Sequence, residues 1–211
     1  MNNDEKRLHY CIQHSTSPGP SLQALERETH LSTLNPQMLV GPLQGMLLKM
    51  ICQMLRPKRV LEIGTFTGYS ALCMAQGLPD DGLLHTIEAN DELAPTIQKH
   101  VRLSGLDDRV VLHIGKAEDI VPKLDGNFDL VFLDAGKLDY AKHYALVFPK
   151  LRPGGFLLAD NVLWDGKVLQ NGLPDAAAQA IDAFNTLVQD DERVDNLLLP
   201  LRDGLMLVRK R

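Results

Sequence analysis

The sequence predicts an α/β fold in which a mostly parallel sheet carries helices on both faces. From about residue 59 onward, short apolar runs alternate with helix-compatible segments, the order that builds parallel βα units. Two apolar runs near the C-terminus are joined by Leu201-Arg202-Asp203-Gly204, a hairpin signal, so the last strand is expected to be antiparallel. A glycine turn after the first apolar run predicts a tight strand-to-helix connection.

The elements follow from the periodicity and from the turn residues between them. Strands are predicted at 60–63, 83–88, 109–114, 128–133, 156–159, 194–200 and 205–208. Helices are predicted between them at 70–76, 91–104, 117–122, 140–150 and 176–188. Three further helices, at 4–14, at 21–30 with Ser21 as N-cap, and at 43–55, make residues 1–56 a helical segment packed on the core.

Length and composition favour a single domain over residues 1–211. Acidic residues outnumber basic ones by 27 to 22, and the net charge of −5 argues against a nucleic-acid partner. The three cysteines form no metal-type pair and suit a reducing cytoplasm. No apolar stretch approaches the roughly 20 residues of a membrane span, and the polar N-terminus is not expected to be a signal peptide.

Two acidic residues suggest the kind of ligand that the glycine turn binds. Glu62 precedes Gly64, where a carboxylate would repel a pyrophosphate but would suit an ammonium group. Glu88 ends the second predicted strand, where an acid can accept hydrogen bonds from ribose hydroxyls. A ribose with a cationic amino-acid tail and no phosphates describes S-adenosylmethionine. A plain strand-turn-helix unit without a ligand is the alternative.

A second cluster of polar residues follows the fourth and fifth predicted strands. Asp134 ends one strand and Asp160-Asn161 the next, so these oxygens are expected at one edge of the sheet. Such a set suits Mg²⁺, Mn²⁺ or Ca²⁺, although single acids at strand ends more often cap loops. Lys137 could act as a base beside the cation, or be a solvated surface lysine. Trp164 could form a wall for an aromatic substrate, or simply pack its loop.

These motifs together resemble the cation-dependent family 3 O-methyltransferases, which include catechol and caffeoyl-CoA O-methyltransferases and many bacterial relatives. The matching stretches are V-L-E-I-G-T-F-T-G-Y-S at 60–70, H-T-I-E at 85–88, D-L-V-F-L-D-A-G-K at 129–137, L-R-P-G-G at 151–155 and L-A-D-N-V-L-W at 158–164. The resemblance implies a Rossmann-like, seven-stranded methyltransferase sheet with an antiparallel last strand, and a homodimer.

The resemblance also implies roles for individual residues. The cofactor would be bound by Val40, Glu62, Gly64, Ser70, Glu88, Ala117 and Asp134. The metal ligands would be Asp134, Asp160 and Asn161. Lys137 would be the catalytic lysine, with Asp134 beside it, and Lys137, Trp164 and Asp165 would face the substrate.

Three positions depart from the family pattern and bear on the acceptor. Gly136 stands where many relatives have an acid that contacts the cofactor side. Asp165 replaces a substrate-contacting asparagine of the plant enzymes, and Leu197 aligns with an acid of the animal enzyme. The acceptor therefore does not transfer from either branch.

The function expected from the sequence is methyl transfer to a catechol-like small molecule. The first alternative is a tRNA hydroxyuridine methyltransferase, for which a local basic patch would be needed. Its candidates are Arg7, Arg27, Lys49, Arg56, Lys58 and Arg59. The second alternative is a non-catalytic cofactor-binding module, against which the acid set and Lys137 argue.

Overall fold

A computed structural model describes residues 3–170 and 172–211, and its centre is one seven-stranded sheet. The strands are β1 (Arg59–Ile63), β2 (Leu83–Glu88), β3 (Val110–Ile114), β4 (Phe128–Leu133), β5 (Leu151–Asp160), β6 (Val194–Leu199) and β7 (Leu205–Lys210). Their order in the sheet is β3-β2-β1-β4-β5-β7-β6. Strands β1 to β5 pair in parallel, and β7 runs antiparallel to both of its neighbours. The predicted fold class is confirmed.

Helices cover both faces of the sheet and bury an apolar layer on each. They are α1 (Asn3–Gln13), α2 (Pro20–Ser32), α3 (Gly41–Leu55), α4 (Tyr69–Gly77), α5 (Ala94–Leu103), α6 (Ala117–Ile120), α7 (Tyr140–Val147) and α8 (Ala176–Gln189). Helices α2 to α5 pack on the face that carries Val60, Leu84 and Phe132. Helices α6 to α8 pack on the opposite face, against Leu61 and Val131. The period-two alternation of the strands thus divides the core into two layers.

The chain order reverses between β1 and β4, which lie side by side at the centre of the sheet. In open α/β sheets, such a switch point opens the crevice where ligands bind. The backbones come close together there: Asp134 N–H donates to Ile63 O at 2.9 Å. Gly64 has φ +97°, and a Cβ on it would lie 2.0 Å from the Asp134 carbonyl oxygen. The glycine is therefore required by the backbone packing itself.

Two local predictions were wrong. Gly19, not Ser21, is the N-cap of α2, because Pro20 takes the first helical position, where its missing N–H costs nothing. Strand β5 begins at Leu151 rather than 156, although the segment contains Pro153 and two glycines. Its pairing with β4 shifts register between Phe128 and Leu130, and this irregularity accommodates Pro153 and the two glycines.

One helical segment bears on the expectation that no apolar stretch reaches membrane-spanning length. Among the described residues, one helical segment, Pro36–Leu55, is long and apolar enough by length and composition, with a mean hydropathy of 1.4. Core helices of globular proteins pass the same test. In this segment Leu48 and Cys52 are fully buried, and α3 packs on α4.

Candidate active site

Glu62 lies near the carboxyl end of β1 and is fully buried. Both of its carboxyl oxygens accept hydrogen bonds: Ser70 Oγ lies 2.5 Å from Oε1, and Thr86 Oγ1 lies 2.5 Å from Oε2. Burial raises the pKa of Glu62 to about 8, although the two hydroxyls act in the opposite direction. The structure thus places Glu62 behind Ser70, in a site that favours a neutral carboxyl unless a positive charge is brought to it.

Glu88 ends β2 and is held by backbone groups on two sides. Its Oε2 accepts from Phe66 N at 2.7 Å, and its Oε1 accepts from Asn90 N at 2.9 Å. Each carboxylate oxygen has a further lone pair available for another donor. The sequence predicted an acid at this strand end facing the crevice, and the half-buried Glu88 lies there beside the glycine turn.

The remaining predicted cofactor residues line the same end of the sheet. Ser70 is in the first turn of α4, which starts after Gly68 in a left-handed conformation, φ +97°. Ala117 begins α6, just after Gly115, whose N–H donates to Glu88 O at 2.8 Å. Val40 is buried immediately before α3. The N-terminus of α4 and the carboxyl ends of β1 and β2 therefore lie at one end of the sheet.

On the other side of the switch point, Lys137 donates to three groups. Its Nζ lies 2.9 Å from Asp134 Oδ1, 2.6 Å from the hydroxyl of Tyr140 and 3.5 Å from the Asp160 carbonyl oxygen. The side chains of Lys137 and Asp134 are only 10% and 17% exposed, which excludes a fully solvated surface lysine. Tyr140 is fully buried, and its hydroxyl lies 2.8 Å from the Asp160 carbonyl oxygen. Burial, together with the charges of Asp134 and Asp160, raises the pKa of Tyr140 well above its ordinary value.

Asp160 and Asn161, together with Asp134, form the predicted metal-binding group, which we call the acid-amide set. Asp160 is buried, and Asn161 N donates to its Oδ1 at 2.9 Å. Burial raises the pKa of Asp160 to about 6, and the charge of Asp134 adds to this effect. Asn161 adopts a left-handed conformation, φ +56°, which asparagine tolerates better than most residues.

The donor chemistry of this set fits a hard divalent cation. Two carboxylates and a carboxamide offer only oxygen ligands, and the crowding of the two acids favours a positive charge between them. In the part of the chain that the structure describes, no group of three His, Cys, Asp or Glu side chains could hold a metal ion. The set contains only two residues of those types, so it relies on Asn161 and on outside ligands for the remaining positions.

The predicted substrate residues other than Lys137 lie in the loop after β5. Trp164 and Asp165 both have positive φ, +48° and +53°. Lys167 Nζ lies 5.6 Å from the centre of the indole ring, and Asp165 N donates to the Asp203 carboxylate. These contacts hold the loop in place, and the role of Trp164 as an aromatic wall stays a prediction.

Two positions that depart from the family pattern, Gly136 and Leu197, make few close contacts with the rest of the fold. A Cβ on Gly136 would meet only Asp139 Oδ2, at 3.9 Å, so the backbone does not require glycine there. Leu197 is 55% exposed on β6, the edge strand of the sheet. Neither residue is fixed by the packing of the core.

Sequence reasoning missed several residues that support the site. Tyr140 was predicted only as the first residue of a helix. It follows Lys137 by three residues, a spacing that brings side chains together in helical turns and could have indicated the contact. Gln44 and Arg202 meet although 158 residues separate them in sequence. No local pattern could have indicated that contact.

Comparison with known proteins identifies the family of the chain. A family model described as O-methyltransferase matches residues 12–211. A catechol O-methyltransferase from Niastella koreensis is 37% identical over 170 residues, covering 79% of this chain and 77% of the relative. A caffeoyl-CoA O-methyltransferase from Stellaria longipes is 28% identical over 221 residues, covering 97% and 90%.

A solved structure links the same fold to the cofactor. The crystal structure of the O-methyltransferase TomG from Streptomyces achromogenes, involved in tomaymycin synthesis, contains S-adenosylmethionine. It superposes with a TM-score of 0.92 at 30% identity, covering 100% of this chain and 99% of TomG. The chain belongs to this O-methyltransferase family, and it is an S-adenosylmethionine-dependent O-methyltransferase.

Proposed function

We propose that the protein transfers a methyl group to a hydroxyl of a catechol-like or other vicinal-diol aromatic small molecule, with the help of a divalent cation. The observation that carries this proposal is the arrangement of Lys137 between Asp134 and Tyr140, next to the buried Asp160. Deprotonation of a chelating diol requires a base close to the bound cation. Lys137 would be that base, because it lies beside the residues that would bind the cation. The similarity to a catechol O-methyltransferase supports the same acceptor class.

The acid-amide set would hold the cation through Asp134, Asp160 and Asn161. When bound, a divalent cation, Mg²⁺ in the first place or else Mn²⁺ or Ca²⁺, supplies charge that lowers the pKa of a coordinated hydroxyl. The chain itself contributes the buried carboxylates and the low exposure of the site. Both strengthen electrostatic interactions relative to those in water.

Lys137 would accept the proton from the acceptor hydroxyl. A neutral amine has two N–H groups and one lone pair. In the structure Nζ lies within hydrogen-bond distance of three acceptors: Asp134 Oδ1, the Tyr140 hydroxyl and, at 3.5 Å, the Asp160 carbonyl oxygen. The neutral amine would give up the longest of these contacts, and its lone pair would then be available to the acceptor. The raised pKa of Tyr140 keeps its hydroxyl protonated, so that it can accept from Lys137 while donating to the Asp160 carbonyl oxygen.

The cofactor would lie over the ends of β1 and β2. S-adenosylmethionine supplies an already activated methyl group, so that positioning contributes much of the rate gain. Glu88 would accept from the ribose hydroxyls, and Ala117 would lie near the adenine. Ser70 and Val40 would face the methionine end, with Glu62 compensating its ammonium charge from behind Ser70. Asp134 would lie between the cofactor and the cation and would contact both.

Two of the six candidate basic residues, Lys58 and Arg59, lie where they do not favour the tRNA alternative. Lys58 and Arg59 precede or begin β1, at the edge of the sheet opposite Gly64 and Asp134. Lys58 Nζ pairs with Asp81 at 2.6 Å, and Arg59 donates to the Asp125 carbonyl oxygen at 2.6 Å. These side chains are engaged in local contacts away from the crevice.

The test is methyl transfer from labelled S-adenosylmethionine to catechols, caffeoyl esters and bulk tRNA, with Mg²⁺ and with EDTA. We expect methylated catechol with Mg²⁺, none with EDTA, and recovery on adding Mg²⁺ or Mn²⁺. Asp160→Ala should reproduce the effect of the chelator, whereas the exposed Asp108→Asn should not. Full activity in EDTA would refute the cation. Methylation of tRNA alone would refute the acceptor class, and binding without transfer to any acceptor would indicate a non-catalytic module.

Two further expectations concern the protein as a whole. The homodimer implied by the resemblance stays a prediction, and light scattering coupled to gel filtration measures it. We also propose a cytoplasmic location. Cys11, Cys52 and Cys73 are all free, and burial raises the pKa of both Cys52 and Cys73 to about 12, which suits thiols that remain reduced.

A further inference from the structure

The loop that follows β5 has an unusual backbone. Between residues 161 and 166, four residues have positive φ: Asn161 at +56°, Trp164 at +48°, Asp165 at +53° and Gly166 at +69°. A left-handed backbone is costly for a residue with a side chain, and especially for a bulky one such as tryptophan. It persists where contacts with the rest of the fold determine the conformation, and such strain concentrates at functional sites.

The contacts that determine this loop come from the turn between β6 and β7. Leu163 N donates to Asp203 O at 2.8 Å, and Val162 N donates to Gly204 O at 3.2 Å. A Cβ on Gly204, whose φ is +88°, would lie 2.6 Å from Leu163 Cγ. The turn and the loop are therefore in direct contact, both through hydrogen bonds and through packing.

Asp203 holds the loop on both sides of Trp164. Its carbonyl oxygen accepts from Leu163 N, and its carboxylate oxygen Oδ1 accepts from Asp165 N. The half-buried indole of Trp164 thus projects from a backbone whose two neighbouring N–H groups are fixed by one residue. That residue lies 38 positions beyond Asp165 in the sequence.

We propose that Asp203 is a positioning residue for the methyl acceptor, because by holding both neighbours of Trp164 it fixes the indole as one wall of the acceptor site. This inference rests on the proposed function for the role of Trp164. It adds that the position of the wall is set from the β6–β7 turn. An aromatic wall contacts the acceptor before and during the reaction alike, so its displacement raises the KM for the acceptor more than it lowers kcat.

Trp164 is the single tryptophan of the chain, so intrinsic fluorescence reports on this loop without turnover. Asp203→Ala removes the carboxylate that accepts from Asp165 N, whereas Asp203→Asn keeps an oxygen acceptor at the same place. Asp191→Ala is the matched control, because the Asp191 carboxylate also accepts a backbone N–H, from Arg193 at 3.0 Å, in the turn before β6.

We expect Asp203→Ala to shift the emission of Trp164 to longer wavelength and to raise its quenching by acrylamide about twofold. With Mg²⁺ and saturating S-adenosylmethionine, the KM for catechol should rise about five- to tenfold, the range that an aromatic contact accounts for. Asp203→Asn and the control should resemble the native protein in both measurements. All variants should bind S-adenosylhomocysteine with native affinity in calorimetry.

A double-mutant cycle shows whether Asp203 acts through Trp164. In a Trp164→Ala background, Asp203→Ala should raise the KM for catechol no further, since the wall is already absent. If Asp203→Ala does not fold, Asp203→Glu replaces it in the emission and KM measurements, because it displaces the carboxylate by one methylene. It should shift the emission and KM in the same directions as expected for Asp203→Ala.

The outcomes separate this inference from the proposed function. Native emission and native KM in a folded Asp203→Ala protein would overturn it, and so would an equal rise of KM with and without Trp164. Weaker S-adenosylhomocysteine binding at unchanged KM would place the loop on the cofactor side and overturn it as well. A native protein that methylates no catechol would refute the acceptor class instead; the KM comparison is then made with the acceptor that it does methylate.

Discussion

Replacing the buried Glu62 by glutamine should change how the stability of the ligand-free protein depends on pH. The pKa of Glu62 is raised from an ordinary 4.5 to about 8 in the folded state. Between these values the folded protein binds a proton that the unfolded chain does not, so the free energy of unfolding falls as pH rises through this window. At about 1.4 kcal/mol per pKa unit, the upper limit of this loss is about 5 kcal/mol.

The measurement is urea unfolding of the native protein and of Glu62→Gln between pH 5 and 8.5. Glutamine is neutral at every pH and can still accept from Ser70 or Thr86. The two proteins should therefore be similar near pH 5, and the variant should gain relative stability toward pH 8. Other titrating groups, such as Asp160, affect both proteins alike and cancel in the difference. Asp108→Asn, an exposed change, serves as the control.

A difference in stability that does not vary with pH would refute this reasoning. It would mean that Glu62 is as easily ionised in the folded protein as in the unfolded chain, so that its environment is polar rather than apolar. The proposed role of Glu62 near the ammonium of the cofactor would then lose its physical basis, because no charge compensation would be needed there.

Three other perturbations test the site. Lys137→Met should lower kcat about 10²–10⁴-fold with catechol, and much less with nitrocatechol, which is already ionised. Tyr140→Phe should also lower kcat more with catechol than with nitrocatechol. Equal losses with both acceptors would mean that Lys137 only orients the substrate or cofactor. Glu88→Ala should weaken S-adenosylmethionine binding by about 1.5–3 kcal/mol in calorimetry, and unchanged affinity would place the ribose elsewhere. Gly64→Ala should lower the free energy of unfolding by about 3 kcal/mol, since its Cβ has no room beside the Asp134 carbonyl oxygen, and native stability in urea would contradict the close approach.

The sequence was sufficient to predict the strands of the sheet and the end of the sheet at which the candidate site residues lie. Strands β2 and β4 begin and end where their mainly apolar runs do, although β2 contains His85 and Thr86 and β4 contains Asp129. The acids at strand ends come together because parallel strands share one carboxyl edge. That rule needs only the order of the elements, which the sequence contains.

Contacts between distant segments could not be predicted in the same way. Tyr140 is a supporting residue because β5 brings the Asp160 carbonyl oxygen to its hydroxyl, and this depends on sheet order rather than on local pattern. The start of β5 was misjudged because a proline and two glycines usually break a strand, whereas here an irregular register absorbs them. Burial and charge at Glu62 likewise depend on the helices that cover it.

The division of the core into two layers has a consequence for changing what the enzyme acts on. Glu62 faces the layer of α2 to α5, whereas Tyr140, which holds Lys137, belongs to the layer of α6 to α8. A mutant library confined to the loop at 164–170 would vary the acceptor while leaving the cofactor-side layer intact. A library that included the β6–β7 turn would alter both at once, since Arg202 contacts one side and Asp203 the other. Acceptor range and cofactor affinity can thus evolve separately as long as that turn is preserved.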